Sequence, residues 1–166
     1  MWVHESERIY GDRLVSPEDL SKYRELASEI CKKSFSKFNL SKYFQKPTPE
    51  PLVFAYFVAG FDEKLYDQFP KIDDLTLKLR DALRDYNEMN AQMDLVLFDD
   101  AMKHVCKITR IISADQGHAL LVGVGGSGKQ SLSRLSAFIC QCKPESIVIS
   151  SSYGINDLKL NLQTYY

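Results

Sequence analysis

The sequence predicts an α/β chain of the phosphate-binding-loop type, in which a mostly helical N-terminal part precedes an incomplete doubly wound βαβα unit. Three observations carry this prediction. Apolar residues recur at helical spacing over residues 17–35 and 73–112. The continuous apolar run Ala119-Leu120-Leu121-Val122 has the composition of a parallel strand buried on both faces, and it leads into a glycine-rich turn and an amphipathic segment. A second apolar run, Ile147-Val148-Ile149, precedes a further helical pattern.

The elements follow in order. Residues 1–14 read as a helix with Trp2, Ile9 and Leu14 on one face. Ser16-Pro17-Glu18-Asp19 offers a cap, a proline at the first helical position and acids in the first turn. The helix it opens runs to about Phe35 and buries Leu20, Tyr23, Ala27, Ile30 and Cys31. Residues 36–51 read as a loop, since prolines at 47, 49 and 51 exclude helix. Leu52–Val58 is β-branched and aromatic enough for a short strand, and 62–72 is loop. A helix from Asp73 turns Leu75, Leu79, Ala82 or Leu83, Tyr86 and Met89 inward. Residues 90–94 break it, and a second helix carries Leu95, Phe98, Met102, Val105, Ile108 or Thr109, and Ile112. After the turn at 113–117 comes the first strand of the βαβα unit, then a helix burying Leu132, Leu135, Phe138 and Ile139. The last helix turns Leu158, Leu162 and Tyr165 inward. No internal repeat is present.

The 166 residues suffice for one ordinary domain, and 45% hydrophobic with 26% charged residues is a globular composition. A net charge of −1 implies no surface for nucleic acid. The longest apolar run, Leu52–Phe61, falls well short of the roughly 20 residues that span a bilayer. The N-terminus lacks the apolar core of a signal peptide, so no membrane partner is expected. Four cysteines (31, 106, 140 and 142) have neither a disulfide framework nor paired zinc-ligand spacing, and read as reduced intracellular thiols.

The chemistry is concentrated at Gly123-Val124-Gly125-Gly126-Ser127-Gly128-Lys129, which fits G-x-x-x-x-G-K between a strand and a helix. Glycines allow successive backbone N–H groups to turn toward phosphate oxygens with no Cβ in the way. Lys129 adds a cation for the outer phosphates, and the helix that follows presents its N-terminus to the same anion. The Ser or Thr that ordinarily follows the lysine and ligates Mg²⁺ is replaced by Gln130, with Ser131 one place later. Three glycines in four residues followed by GK have little justification in packing alone.

Other constellations reduce to ordinary roles. Leu95-Val96-Leu97-Phe98-Asp99-Asp100 imitates a strand ending in a magnesium-binding acid, but it precedes the loop and its apolar period continues as helix. His4-Glu5-Ser6-Glu7-Arg8 has arginine where a zinc pair needs its second histidine. His104 and His118 read as core histidines, and Tyr153, Tyr165 and Tyr166 as packing aromatics.

The string GVGGSGKQSLSRL, including its unusual glutamine, resembles the fourth AAA+ module of axonemal dynein heavy chains, in the style of the outer arm. WVHESERIYGDRLV at 2–15 is similar to the segment closing the third module's helical lid. YNEMNAQMDLVLFDDAMKHVCKITRII at 86–112 is similar to the link and first helix of the fourth, and YGINDLKLNL at 153–162 to the helix after its second strand. Asp99, where the family more often has glutamate, and CKPESIVIS at 142–150 depart from the pattern. The resemblance implies a boundary between residues 1–93, a lid-like region with linker, and 94–166, the start of a P-loop AAA+ domain. It implies ATP or ADP held by Gly123, Val124, Gly125, Gly126, Ser127, Gly128 and Lys129, with Gln130 and Ser131 near Mg²⁺ and Val96 and Leu97 lining the adenine. It further implies a motor of the ciliary axoneme whose partners are other dynein chains and microtubules. The magnesium acid, catalytic glutamate and sensors of such a module would lie beyond residue 166, so little hydrolysis is expected of this chain alone. The rival expectation is a non-catalytic module that associates with axonemal dynein subunits through its lid helices.

Overall fold

The computed structural model describes residues 1–44 and 53–165. Seven helices among them carry the structure: α1 (Trp2–Ile9), α2 (Pro17–Ser34), α3 (Ser41–Phe44), α4 (Ile72–Met89), α5 (Asp99–Ile112), α6 (Lys129–Ile139) and α7 (Ile155–Tyr165). A 3₁₀ turn at Gly11–Arg13 separates α1 from α2. Strands β1 (Phe54–Ala55) and β2 (Asp67–Gln68) form an antiparallel pair with Phe54 opposite Gln68 and Ala55 opposite Asp67.

The caps explain several boundaries. Ser16 Oγ accepts from the N–H groups of Glu18 (3.2 Å) and Asp19 (3.3 Å), and so starts α2 at the position its sequence predicts. Asp99 and Asp100 occupy the first turn of α5, where two carboxylates meet the positive end of the helix dipole. Asn87 exchanges hydrogen bonds with the backbone of Met93, its Oδ1 accepting from the N–H at 2.8 Å and its Nδ2 donating to the carbonyl at 3.2 Å. This clamp fixes the bend between α4 and α5.

The main core joins α4, α5 and α6. Leu75, Leu79, Ala82 and Tyr86 of α4 meet Met102, Val105, Cys106 and Ile108 of α5 and Leu132, Leu135 and Ile139 of α6, with Ala55, Phe57 and Phe69 closing one side. Tyr86 and Phe138 pack edge to face at 5.5 Å. Leu79, Val105 and Leu135 are fully buried, and each such side chain is worth roughly 1.5–3 kcal/mol. A smaller cluster of Val3, Cys31 and Leu40 holds α1 against α2. No helix of the described residues is long and apolar enough to cross a membrane.

Several expectations are corrected. The N-terminal helix ends at Ile9, and its docked face is Val3, His4 and Glu7; Trp2 and Ile9 are exposed because α2 and the β1–β2 hairpin take the opposite side. Ile30 and Met89 are exposed too, since their stripes extend past the neighbour that could cover them. The 36–51 loop contains the short helix α3, and the part from 45 to 51 lies outside the described residues. Of the strand at 52–58 only Phe54–Ala55 forms a ladder, Phe57 adding an isolated bridge to Leu65, with Leu52 outside the described residues; the 62–72 loop contributes the ladder's partner β2.

The second long helix begins at Asp99 rather than Leu95. Met93, Leu95 and Leu97 face the core while Val96 and Phe98 face out, so the alternation at 93–98 is that of an extended segment. His104 and His118 are exposed: His104 falls on the outer side of α5, and His118 follows the turn where the chain leaves the core. The two strands of the βαβα unit carry no ladder among the described residues. Leu120, Val122 and Val124 are exposed, and so are Val148 and Ile149. A strand requires a hydrogen-bonded partner backbone, and the ladder among the described residues joins only β1 and β2. For the same reason α7 buries none of its residues, and Leu158, Leu162 and Tyr165 are accessible rather than inward.

Candidate phosphate-binding loop

The loop is built between two anchors. On its approach side, residues 118–122 belong to no helix or ladder and only Leu121 packs against the core. On its exit side, α6 is fixed by Leu132, Leu135 and Ile139. Between them Gly126 and Gly128 take φ of +76° and +75°, the left-handed region that costs a Cβ-bearing residue energy. Gly128 is also the residue that caps α6, and it brings no capping side chain. The first intrahelical bond there runs from the Leu132 N–H to the Gly128 carbonyl at 2.9 Å. The N–H groups of Lys129, Gln130 and Ser131 precede it and point out of the helix end, as an anion site requires.

Lys129 completes the enclosure. Its ammonium donates to the carbonyl oxygens of Gly123 (2.7 Å) and Val124 (2.7 Å) and to Ser127 Oγ (3.0 Å). Gly123 keeps this arrangement uncrowded, because a Cβ there would lie 3.0 Å from Ser127 Oγ, so the serine side chain would have to shift, and 3.5 Å from Lys129 Nζ. Around Gly125, by contrast, no atom beyond its chain neighbours lies within 4 Å of the position a Cβ would take, so that stretch of backbone faces open space. Residues 125–131 line a concavity of about 450 Å³. A phosphate chain fits this donor set: one cation, outward amides and glycine backbone free to approach.

The other expected residues are placed differently. Gln130 is exposed and Ser131 half-buried, and both line the concavity. Val96 and Leu97 do not line it: Val96 is exposed, and Leu97 packs against the core. Among the described residues no group of three or more His, Cys, Asp or Glu could hold a metal ion. All four cysteines are free; burial pushes the Cys106 thiol up to about 12, and Cys142 is exposed.

A charged cluster escapes sequence reasoning altogether. The Glu5 carboxylate in α1 accepts from the Tyr66 hydroxyl and from the Arg110 guanidinium of α5, whose Nε lies 3.3 and 3.2 Å from its two oxygens. Desolvation pulls the Glu5 pKa upward as the largest single influence. The hydrogen bonds from Arg110 and Tyr66, with the charges of Arg110 and His4, together outweigh it and hold the carboxyl below its ordinary value. Burial and the Glu5 carboxylate push the Tyr66 hydroxyl up, and the same carboxylate raises Arg110. Beside it Asp12 forms ion pairs with Lys107 (3.2 Å) and with Arg8 (3.0 Å), although the buried Arg8 Nε finds no hydrogen-bond partner among the described residues. Glu5 and Arg110 are 105 residues apart, so no local spacing announces the pair.

Residues 93–166 match the family described as the P-loop containing dynein motor region D4, and residues 1–44 match the AAA+ lid domain. The chain is 54% identical over its full length to the dynein alpha chain of the flagellar outer arm of Chlamydomonas reinhardtii. It is 43% identical over 99% of its length to the ciliary dynein beta chain of Tripneustes gratilla, and 42% identical over its full length to human dynein axonemal heavy chain 17. It spans 4% of the length of each of these curated relatives. From first residue to last, the chain belongs to the axonemal dynein heavy-chain family.

Proposed function

We propose that residues 123–131 bind the phosphates of ATP or ADP, as the nucleotide site of the fourth AAA+ module of an axonemal dynein heavy chain. The observation that carries this reading is the loop itself: left-handed Gly126 and Gly128 lead into a helix whose first residue, Lys129, points its ammonium back across the loop. Gly123 to Gly128 would supply the cradle, Lys129 the countercharge, and the first amides of α6 the remaining donors. Magnesium would arrive with the triphosphate. Gln130 and Ser131 offer it two neutral oxygens, a weak set for a hard dication, so phosphate oxygens and water would make up most of its shell. Val96, which with Phe98 faces outward from the 93–98 segment, would supply an adenine contact, with Leu97 supporting it from the core.

The reading extends to the whole architecture. Residues 1–93 would be the lid of the preceding module with its link, and 94–166 the opening of the P-loop domain, in keeping with matches over 1–44 and 93–166. Residues 119–122 and 147–149 would become ladder strands of a doubly wound sheet beside further strands of the same module. The complete heavy chain would then drive movement along microtubules in the axoneme of a cilium or flagellum, in company with other dynein chains.

Equilibrium titration with a fluorescent ATP analogue tests the site. Micromolar binding, competed by unlabelled ADP and weakened at least tenfold by Lys129→Ala, is the expected result. Binding equal in the wild-type chain and in Lys129→Ala would overturn it.

A further inference from the structure

We propose that Glu5 is a positioning residue for the phosphate-binding loop, through which α1 and the nucleotide influence each other; the inference rests on the nucleotide reading of that loop. The route is short and continuous. Glu5 holds the Arg110 guanidinium with both carboxylate oxygens, and the Tyr66 hydroxyl fixes the carboxylate from the hairpin side. Arg110 lies in the last turn of α5. Directly upon that turn sits the 113–117 bend, so closely that a Cβ on Gly117 would come within 1.8 Å of the Ile111 carbonyl oxygen. Only residues 118–122 then separate Gly117 from Gly123, the first glycine of the loop.

The far end of the loop's helix leans on the same place. Cys140, which caps α6, has its sulfur 3.5 Å from Ser113 Oγ and 3.7 Å from the Thr109 carbonyl oxygen. The strand side and the helix side of the loop are therefore both referred to the final turn of α5, and Glu5 is the charged group that ties that turn to α1. Asp12 repeats the contact one turn earlier, on Lys107. Two acids on the α1 side thus face two bases on α5 at helical spacing, a fixed register rather than a chance surface pair.

A sensor is built in. Trp2 is the only tryptophan of the chain, lies one turn before Glu5 in α1, and is exposed. The experiment measures two things on the 166-residue chain: affinity for a fluorescent ADP analogue, and the change in Trp2 emission when unlabelled ADP is added. In the wild type, ADP should shift Trp2 emission. Glu5→Gln should weaken binding roughly fivefold and abolish the Trp2 response, at unchanged helical content. The swap Glu5→Arg with Arg110→Glu should restore both, which a loss of bulk stability alone would not allow. Tyr66→Phe, which removes one donor and little volume, should give a smaller loss in the same direction.

Wild-type affinity with an intact Trp2 response in Glu5→Gln overturns the inference, as does wild-type binding of ADP with no Trp2 response. If Glu5→Gln does not fold, Tyr66→Phe and the wild-type Trp2 response decide by the same criteria. A wild-type chain that binds no nucleotide overturns the nucleotide reading and this inference together, and that result is distinct because the analogue then gives no signal.

Discussion

The Lys129 ammonium lies 2.7 Å from the carbonyl oxygen of Gly123, six residues back along the chain. The cation that the motif offers to a phosphate is thus shared first with the loop's own oxygens, Val124 and Ser127 completing its three donor contacts. Such a cation is held at the mouth of the concavity rather than swinging in water. A phosphate oxygen that displaces one of these partners meets a lysine already oriented, which lowers the entropy lost on binding.

Gly123→Ala tests whether that seat matters. The methyl would press on Ser127 Oγ at 3.0 Å and approach Lys129 Nζ at 3.5 Å. Nucleotide affinity should fall severalfold. The loop is exposed, so unfolding free energy should stay within about 0.5 kcal/mol of wild type. Titration with a fluorescent nucleotide alongside urea unfolding separates the two effects.

Gly117→Ala should act in the opposite way, on stability first. A Cβ at 117 would lie 1.8 Å from the Ile111 carbonyl oxygen, and backbone cannot yield as a flexible side chain would. The expected loss is more than about 2 kcal/mol of unfolding free energy. Gly60→Ala is the control: nothing beyond its chain neighbours lies within 4 Å of the added methyl, and the change should stay within about 0.5 kcal/mol. Urea midpoints at matched m-values check both.

Acid should loosen the contact between α1 and α5. The Glu5 pKa is lower in the folded chain than its ordinary value of 4.5, so the carboxylate form is the one folding favours. Its contribution is complete above that ordinary value and is lost as pH falls through the folded one. Between roughly pH 5 and pH 3 the wild type should therefore lose more stability than Glu5→Gln, in which this contribution is absent at every pH. Thermal melts of the two proteins across that range give the comparison; parallel curves would remove Glu5 from the acid response.

Much of the helical framework is legible in the sequence because its signals are local. The Ser16 cap with Pro17, the Leu75-Leu79-Ala82-Tyr86 stripe and the Leu132-Leu135-Ile139 stripe each lie within a few turns of one helix, and the structure caps or buries them as expected. The loop is legible for a related reason: its glycines answer to backbone conformation, and two of them have the positive φ that only such residues accept cheaply. Where the structure departs from expectation, the deciding contact is distant. Leu158 and Leu162 have the spacing of a buried stripe, but α7 meets no surface that covers them. Leu120 and Val122 have the composition of a central strand, and composition cannot supply the neighbouring backbone.

Residues a turn or less apart are enough to set where α2 begins, which faces of α4 and α6 are apolar and where the phosphate-binding glycines fall, but not where α5 begins. Folding in three dimensions was needed to establish that Val96 faces solvent while Leu97 packs inward, that Lys129 folds onto Gly123, and that Glu5 meets Arg110 across 105 positions. Those outcomes depend on how the helices close on one another, and burial together with charge pairing across that closure is a property of the packed chain rather than of any one segment.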